Sequence, residues 1–312
     1  MKRYTRLQRI ALYLPLLLGM ITRADIHSIS LDEMHAKLVR ALEMRFCYIT
    51  FVKVEGDEYL IKQKKSRFLR KIVGVVRDAL TAHIAESFNA DLAHKVRILG
   101  VGKKFPGKPR VDWPATIHTV APGKMVKAQN SAYNRLDIKQ ADIGFQRPML
   151  AWMAKHPTLT MMVALDTFLC NHDRHRGNLF YDAKRDSFCA IDMDSAWKHN
   201  LCALALKFFK HLASDKRVRL TPKEIRTLRM YKKHLEFLIE QFKPEDTLAL
   251  YNQFVEEAGF IKGSPLYSEK IALELDRNRR MIKESYGDVK KLIPVLEQLI
   301  KTAKRNLKIS LQ

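Results

Sequence analysis

Two stretches concentrate the side chains that could do chemistry: Asp173-Arg174-His175-Arg176-Gly177-Asn178 and, further on, Ile191-Asp192-Met193-Asp194. Asp173 offers a carboxylate that can position an acceptor hydroxyl. Asn178, five residues later, offers a neutral oxygen of the kind that suits Mg²⁺ or Mn²⁺. Asp192 follows the apolar run Phe188-Cys189-Ala190-Ile191, and an acid at the end of a buried strand is costly unless it meets a cation. Asp194 adds a second carboxylate two residues on. An acceptor-side acid and metal-holding oxygens are parts that phosphoryl transfer requires. It also needs a cation for the α and β phosphates and a dry place for the base. Two plainer readings stand beside this one: Asp173, Arg174 and His175 as a surface turn with internal ion pairs, or His172 and His175 as zinc ligands lacking a matching pair elsewhere.

The rest of the chain must position these groups. Residues 25 to 45 carry a helical pattern through Ile29, Leu31, Met34, Leu38 and Leu42. Cys47 to Val54 reads as a strand, Glu55-Gly56-Asp57 as a turn, and Tyr59 to Lys62 as the returning strand of a hairpin. A basic loop (Lys64 to Lys71) precedes a helix from about Val75 to Phe88, with Val76, Leu80, Ile84 and Phe88 facing inward. Val96–Val101 and Thr116–Val120 read as strands, separated by a Pro-, Gly- and Lys-rich loop and stopped by Ala121-Pro122-Gly123. Pro157 to Cys170 reads as an apolar core helix. Two short strands, from Asn178 and from Ser187, follow it, and after Trp197 the pattern is helical. The expected class is therefore α+β in two lobes, with an N-terminal segment 1–24, a strand-rich lobe 25–124 and a helical lobe 125–312.

Asp173-Arg174-His175 through Asn178 resembles the D-R-H-x-x-N catalytic loop of the phosphoinositide 3-kinases. The wider pattern, with an Ile-Asp strand end following, is similar to HipA-like toxin kinases, to type II phosphatidylinositol 4-kinases, and to the atypical effector kinases that bacteria deliver into host cells. The resemblance implies a protein-kinase-like fold that uses ATP and Mg²⁺ or Mn²⁺. It implies a catalytic Asp173 within the Asp173-Arg174-His175 triplet, with Asn178 and Asp192 as metal ligands. Lys62 resembles the strand lysine that contacts nucleotide phosphates. Its partner acid is then expected on the next helix, where Asp78 and Glu86 are the candidates and the HipA-like spacing favours Asp78. Ile117 to Gly123 sits where a hinge would meet adenine, through the backbone of Val120 and Ala121. The chain departs from conventional protein kinases in two places: no G-x-G-x-x-G precedes Lys62, and Met193-Asp194 stands where Phe-Gly would follow the metal-binding Asp. The expected acceptor is a protein hydroxyl, with a phosphoinositide as the alternative and a nucleotide- or lipid-binding pseudokinase as a third reading.

Lys plus Arg number 56 against 33 Asp plus Glu, for a formal charge of +23. Such a chain is drawn to polyanions. The basic blocks suggest an inositol polyphosphate or an anionic membrane as partner, while the lack of an aromatic-interleaved RNA motif disfavours nucleic acid. Cys47, Cys170, Cys189 and Cys202 form no C-x-x-C pair and read as small buried hydrophobes. Lys2, Arg3, Arg6 and Arg9 before the apolar run Ile10–Ile21 have the layout of a signal peptide, although Pro15 interrupts it; a basic amphipathic helix fits as well. Secretion or translocation into a host cell is expected on the first reading, a cytoplasmic location on the second.

Overall fold

The computed structural model describes residues 37–43, 47–54, 57–64, 72–99, 114–125, 150, 153–171, 173–174, 177–198, 200–215 and 218–309. The segment 1–24, the basic loop beyond Lys64, the Lys103–Arg110 block, His172 and His175 lie outside them.

Five strands make the first sheet: β1 (Lys37–Glu43), β2 (Cys47–Val54), β3 (Asp57–Lys64), β4 (Val96–Leu99) and β5 (Ala115–Thr119), in the order β1-β2-β3-β5-β4 and antiparallel throughout. The hairpin expected from Cys47 onward is β2–β3, closing at Val54 opposite Asp57. The helix expected over 25–45 is corrected where it can be seen: Lys37–Glu43 is a strand, paired with β2 from Lys37↔Lys53 to Glu43↔Tyr48. Leu38 and Leu42 are four apart, a spacing that satisfies both a helix turn and two strand repeats. The open edge of β2, whose backbone groups need partners, decides in favour of the strand.

A helix, α1 (Gly74–Phe88), lies between β3 and β4 and is buried on nearly every side. That is how an all-round apolar helix is accommodated. It joins the large core with Leu165, Phe168, Leu235 and Tyr251, whereas the sheet keeps a small core of its own around Val52, Tyr59, Ile61 and Ile117. The strand-rich part is therefore not a separate hydrophobic unit, since α1 belongs to the core of the helical part.

Beyond β5 the chain passes through Val120 to Gly123 into a second sheet: β6 (Lys124–Met125), β7 (Leu179–Asp182) and β8 (Ser187–Ala190). Gly123 has φ +80, and a Cβ there would lie 2.3 Å from the Tyr181 carbonyl oxygen. Only glycine fits this crossing. The crossing precedes β6, so Lys124 already belongs to the second sheet and not to the first lobe. The helical part contains α2 (Pro157–Phe168), α3 (Leu201–Ser214), α4 (Pro222–Gln241), α5 (Pro244–Glu257) and α6 (Glu269–Ile309). The start of α4 is the one the sequence announces. Thr221 and Glu224 form a reciprocal capping box with Pro222 behind the cap. The described chain is thus α+β, with a small antiparallel sheet followed by a larger helical part. All four cysteines are buried. No described helix is long and apolar enough to cross a membrane.

Candidate active site

Lys62 stands in the middle of β3, opposite Ile49 of β2 and Thr116 of β5. A strand with neighbours on both sides cannot move its side chain away from the core, and Lys62 is only 7% exposed. Its Nζ donates to an Asp192 carboxylate oxygen and lies 3.4 Å from Asp78 Oδ2 and 3.7 Å from Asp194 Oδ2. Burial alone would push this ammonium down, but the carboxylates of Asp192, Asp78 and Asp194 outweigh it and hold Lys62 well above its ordinary 10.5. One cation thus gathers an acid from α1 and two from the loop after β8. Of the two helix acids expected to face Lys62, Asp78 does so; Glu86 instead pairs with Lys95 at 3.0 Å. Glu86 lies two turns further along α1, where the helix has turned back toward β4.

Asp78 has a second task. Its other oxygen accepts the Met193 N–H at 3.1 Å. Behind it, buried imidazoles run from one sheet to the other. His118 Nε2 lies 3.8 Å from Asp78 Oδ2 and 2.7 Å from Thr116 Oγ1, His118 Nδ1 meets His94 Nε2 at 2.7 Å, and His94 Nδ1 meets the Ala190 carbonyl at 3.1 Å. Burial holds His94 below its ordinary 6.5 despite Asp78 nearby. The backbone closes the same seam, since Ala190 N–H donates to Leu92 C=O at 2.7 Å.

Asp192 itself has φ +54, the left-handed region. A non-glycine residue there costs about 1–2 kcal/mol and persists only where its surroundings fix it. Its side chain is 39% exposed, the most open of the carboxylates around Lys62. Asp194 is held by Lys62, by Ser195 Oγ at 3.3 Å and by Lys198 at 3.8 Å. The N-terminal end of α1 presses on it: a Cβ on Gly74 would lie 3.2 Å from the Asp194 Cβ.

Asp173 sits half-buried in the turn after α2. Asn171 Oδ1 accepts its N–H at 3.3 Å, and its carbonyl accepts from Asn178 Nδ2 at 3.1 Å. Asn178 therefore spends its donor on the loop, and no protein donor reaches its Oδ1 among the described residues. Its carbonyl accepts the Ile191 N–H at 3.2 Å, which places the Asn178 backbone beside the residue before Asp192. An amide oxygen and carboxylates suit a hard divalent cation that keeps some of its waters and takes phosphate oxygens besides. No cage of three or more His, Cys, Asp or Glu side chains exists among the described residues. Asn178 Oδ1 and the carboxylate of Asp192 are the oxygen donors here that could hold such a cation.

Arg174 is corrected from its expected place in the chemistry. It is 2% exposed and turned inward. Its Nε and Nη2 grip both oxygens of Asp166, each at 3.0 Å, and Nη1 donates to the carbonyls of Asn178 at 2.7 Å and Ile191 at 3.1 Å. One guanidinium thereby ties α2, the Asp173 loop and the strand end of Asp192 together, which fixes geometry and leaves no group to react. Val120, expected at a nucleotide base, is 48% exposed at the crossing, with Ala121 next to it half-buried.

Four contributors escaped the sequence reading: Asp166, Arg77, His94 and His118. Asp166 had a signal, a lone acid in the apolar run Met161 to Leu169. The histidines and Arg77 had none, because their partners lie far away in the chain.

No family model matches the sequence, and no curated protein matches it. Among solved structures the chain is similar to the Helicobacter pylori proinflammatory kinase CtkA, at 12% identity and a TM-score of 0.45 over 88% of this chain and 97% of that one. It is also similar to a spectinomycin phosphotransferase solved with ADP and spectinomycin, at 10% identity and a TM-score of 0.30 over 78% and 94% of the two chains. A third is a thermostable mutant of an aminoglycoside phosphotransferase solved with AMP-PNP and hygromycin B, at 11% and 0.30 over 83% and 95%. These neighbours are a kinase and two phosphotransferases by their own descriptions. Because every score is below 0.5, the reading of the site rests on the residues of this chain.

Proposed function

We propose that this protein is an ATP-dependent phosphotransferase that acts on protein hydroxyls, an atypical Ser/Thr kinase. The observation that carries the reading is Lys62 held among Asp78, Asp192 and Asp194, within one hydrogen-bonded framework that also includes Asp173 and Asn178. In this reading Lys62 steadies the α and β phosphates while Asp78 keeps it extended. Asn178 and Asp192, with Asp194 beside them, would hold Mg²⁺ or Mn²⁺, and that cation would supply positive charge against the transferred group. Asp173 orients the acceptor hydroxyl and accepts its proton. Val120 and Ala121 offer backbone groups to the base. The chemistry asks the protein mainly for position and charge.

One observation favours a phosphoinositide acceptor as the second reading. Lys223, Arg226, Arg229 and Lys233 form an exposed basic row on α4, and none of them is in an ion pair among the described residues. An anionic membrane or an inositol polyphosphate is the partner such a row suits. On either reading, the setting proposed is secretion or delivery into a host cell if the basic, apolar segment 1–24 acts as a signal, and the cytoplasm otherwise.

The test offers labelled ATP with generic protein acceptors and, separately, with phosphoinositide vesicles, to the wild type and to Asp173→Ala. Label on protein that disappears with Asp173→Ala supports the kinase reading. Label on lipid alone selects the second one, and label that survives Asp173→Ala at the wild-type rate defeats the role given to Asp173.

A further inference from the structure

Arg77 is fully buried in the first turn of α1, one residue before Asp78. Its Nε donates to the Asp194 carbonyl at 2.7 Å, and its Nη1 donates to Asn278 Oδ1 at 3.2 Å and lies 3.8 Å from Glu274. Glu274 and Asn278 are four apart on α6 and so share a face. Asn278 is fixed in turn, donating to the buried Tyr251 hydroxyl of α5 at 3.0 Å. The sequence separations are 117 residues from Arg77 to Asp194 and 201 to Asn278. Three distant parts of the chain meet on one guanidinium.

This arrangement is expensive. Burial lowers the Arg77 guanidinium from its ordinary 12.5, with Asp194 and Tyr251 offsetting part of the penalty, and its Nη2 finds no acceptor among the described residues. An apolar side chain of similar size would serve stability as well or better. What an apolar side chain could not do is hold a carbonyl. Adjacent residues of a helix point about 100° apart, so Asp78 and Arg77 straddle the loop: one takes the Met193 N–H and the other the Asp194 C=O. The backbone they grip directly follows Asp192, whose left-handed conformation needs outside support.

We propose that Arg77 is a positioning residue for the Asp192–Asp194 loop, and that its hold is set from the C-terminal helix α6 through Asn278 and Glu274. The inference rests on the metal role proposed for Asp192. Asp78 holds the loop from the Lys62 side and Arg77 holds it from the α6 side. Loosening α6 at Asn278 lets the Asp194 carbonyl drift, and the Asp192 carboxylate then meets its cation with poorer geometry.

The test compares the full-length wild type with Arg77→Lys and with the double variant Asn278→Leu/Tyr251→Phe. The double variant removes the Asn278 acceptor from Arg77 Nη1 and leaves Glu274 and the Asp194 carbonyl beside the guanidinium, so it loosens the grip from the α6 side at some cost in stability. Amide exchange at Met193 and Ser195 is read without nucleotide, and the metal concentration for half-maximal transfer is read with it. Loss of one charge-assisted hydrogen bond predicts exchange at Met193 and a half-saturating metal concentration each raised roughly tenfold, with kcat at saturating metal within about twofold and the melting temperature lowered by several degrees. Arg77→Lys, which keeps the charge but cannot span both partners, should lie between the two proteins. Unchanged exchange at Met193 in a folded double variant overturns the proposal. Faster exchange in the double variant, with a wild type that transfers nothing, upholds the clamp and overturns the phosphotransfer reading instead.

Discussion

Replacing Lys62 by Met removes the cation and keeps most of the hydrocarbon. Three carboxylates, from Asp78, Asp192 and Asp194, then converge on an apolar tip at distances of 3.7 Å or less. Leaving a buried charge without its partner costs about 3–5 kcal/mol. Asp192 is 39% exposed and water will screen it, which puts the expected loss near the lower end, about 3 kcal/mol. In a chain of this size that is a fall in melting temperature of about 6–12 °C. The pH dependence has a definite sign. In the wild type the raised Lys62 value means that its contribution is complete below 10.5 and is lost only as the pH rises through the higher folded value. Between about pH 5 and 8 it is therefore constant. Millimolar Mg²⁺, a cation that can take the place of the missing ammonium, should shrink the deficit of Lys62→Met. Thermal melting of the two proteins with and without Mg²⁺ reads this. A deficit below about 2 °C, or one indifferent to metal, would refute the electrostatic account of this cluster.

Other perturbations probe the framework around it. Asp166→Asn removes the charge that Arg174 grips at both oxygens; it should cost about 3–5 kcal/mol in chemical denaturation, and a loss under about 1 kcal/mol would show that the buried pair is not what ties the loop down. His234 is pushed down to about 4 by burial and by Lys233, and its Nε2 has no hydrogen-bond partner among the described residues. The unfolded chain takes up a proton there below its ordinary 6.5 and the folded chain does not, so stability falls as the pH drops from 6.5 toward about 4. His234→Phe should accordingly gain about 2 kcal/mol more at about pH 5 than at neutral pH, and an advantage independent of pH would contradict the burial argument. Gly74→Ala places a methyl 3.2 Å from the Asp194 Cβ, on a side chain already fixed by Lys62, Ser195 and Lys198. Activity should drop several-fold although alanine is the better helix former, and full activity with raised stability would show that Asp194 can yield.

The hairpin, the core helix before Asp173, the two short strands and the capped start of α4 were legible because each is coded locally, by period, turn residues or caps. β1 was misread because Leu38 and Leu42 satisfy two periods at once, and the partner strand that decides between them is not a local property. Lys62 and Asp78 were nominated from the kinase resemblance and Asp192 from its place at the end of an apolar strand, and the three side chains meet in the structure. Arg174 was misassigned because a motif records which residues occur and not which way they turn; the Asp166 that turns it inward lies outside the motif. Arg77, His94 and His118 join segments up to 201 residues apart. Such coupling arises only when the core assembles, and no one-dimensional pattern announces it.

The most direct measurement is phosphoryl transfer from labelled ATP by the wild type and by Asp192→Ala, run side by side over the same Mg²⁺ and Mn²⁺ series. Transfer by the wild type that needs the metal, and falls by at least about a hundredfold in Asp192→Ala at every metal concentration, is the expected result. Equal transfer by the two proteins, or transfer that persists without divalent metal, would contradict it.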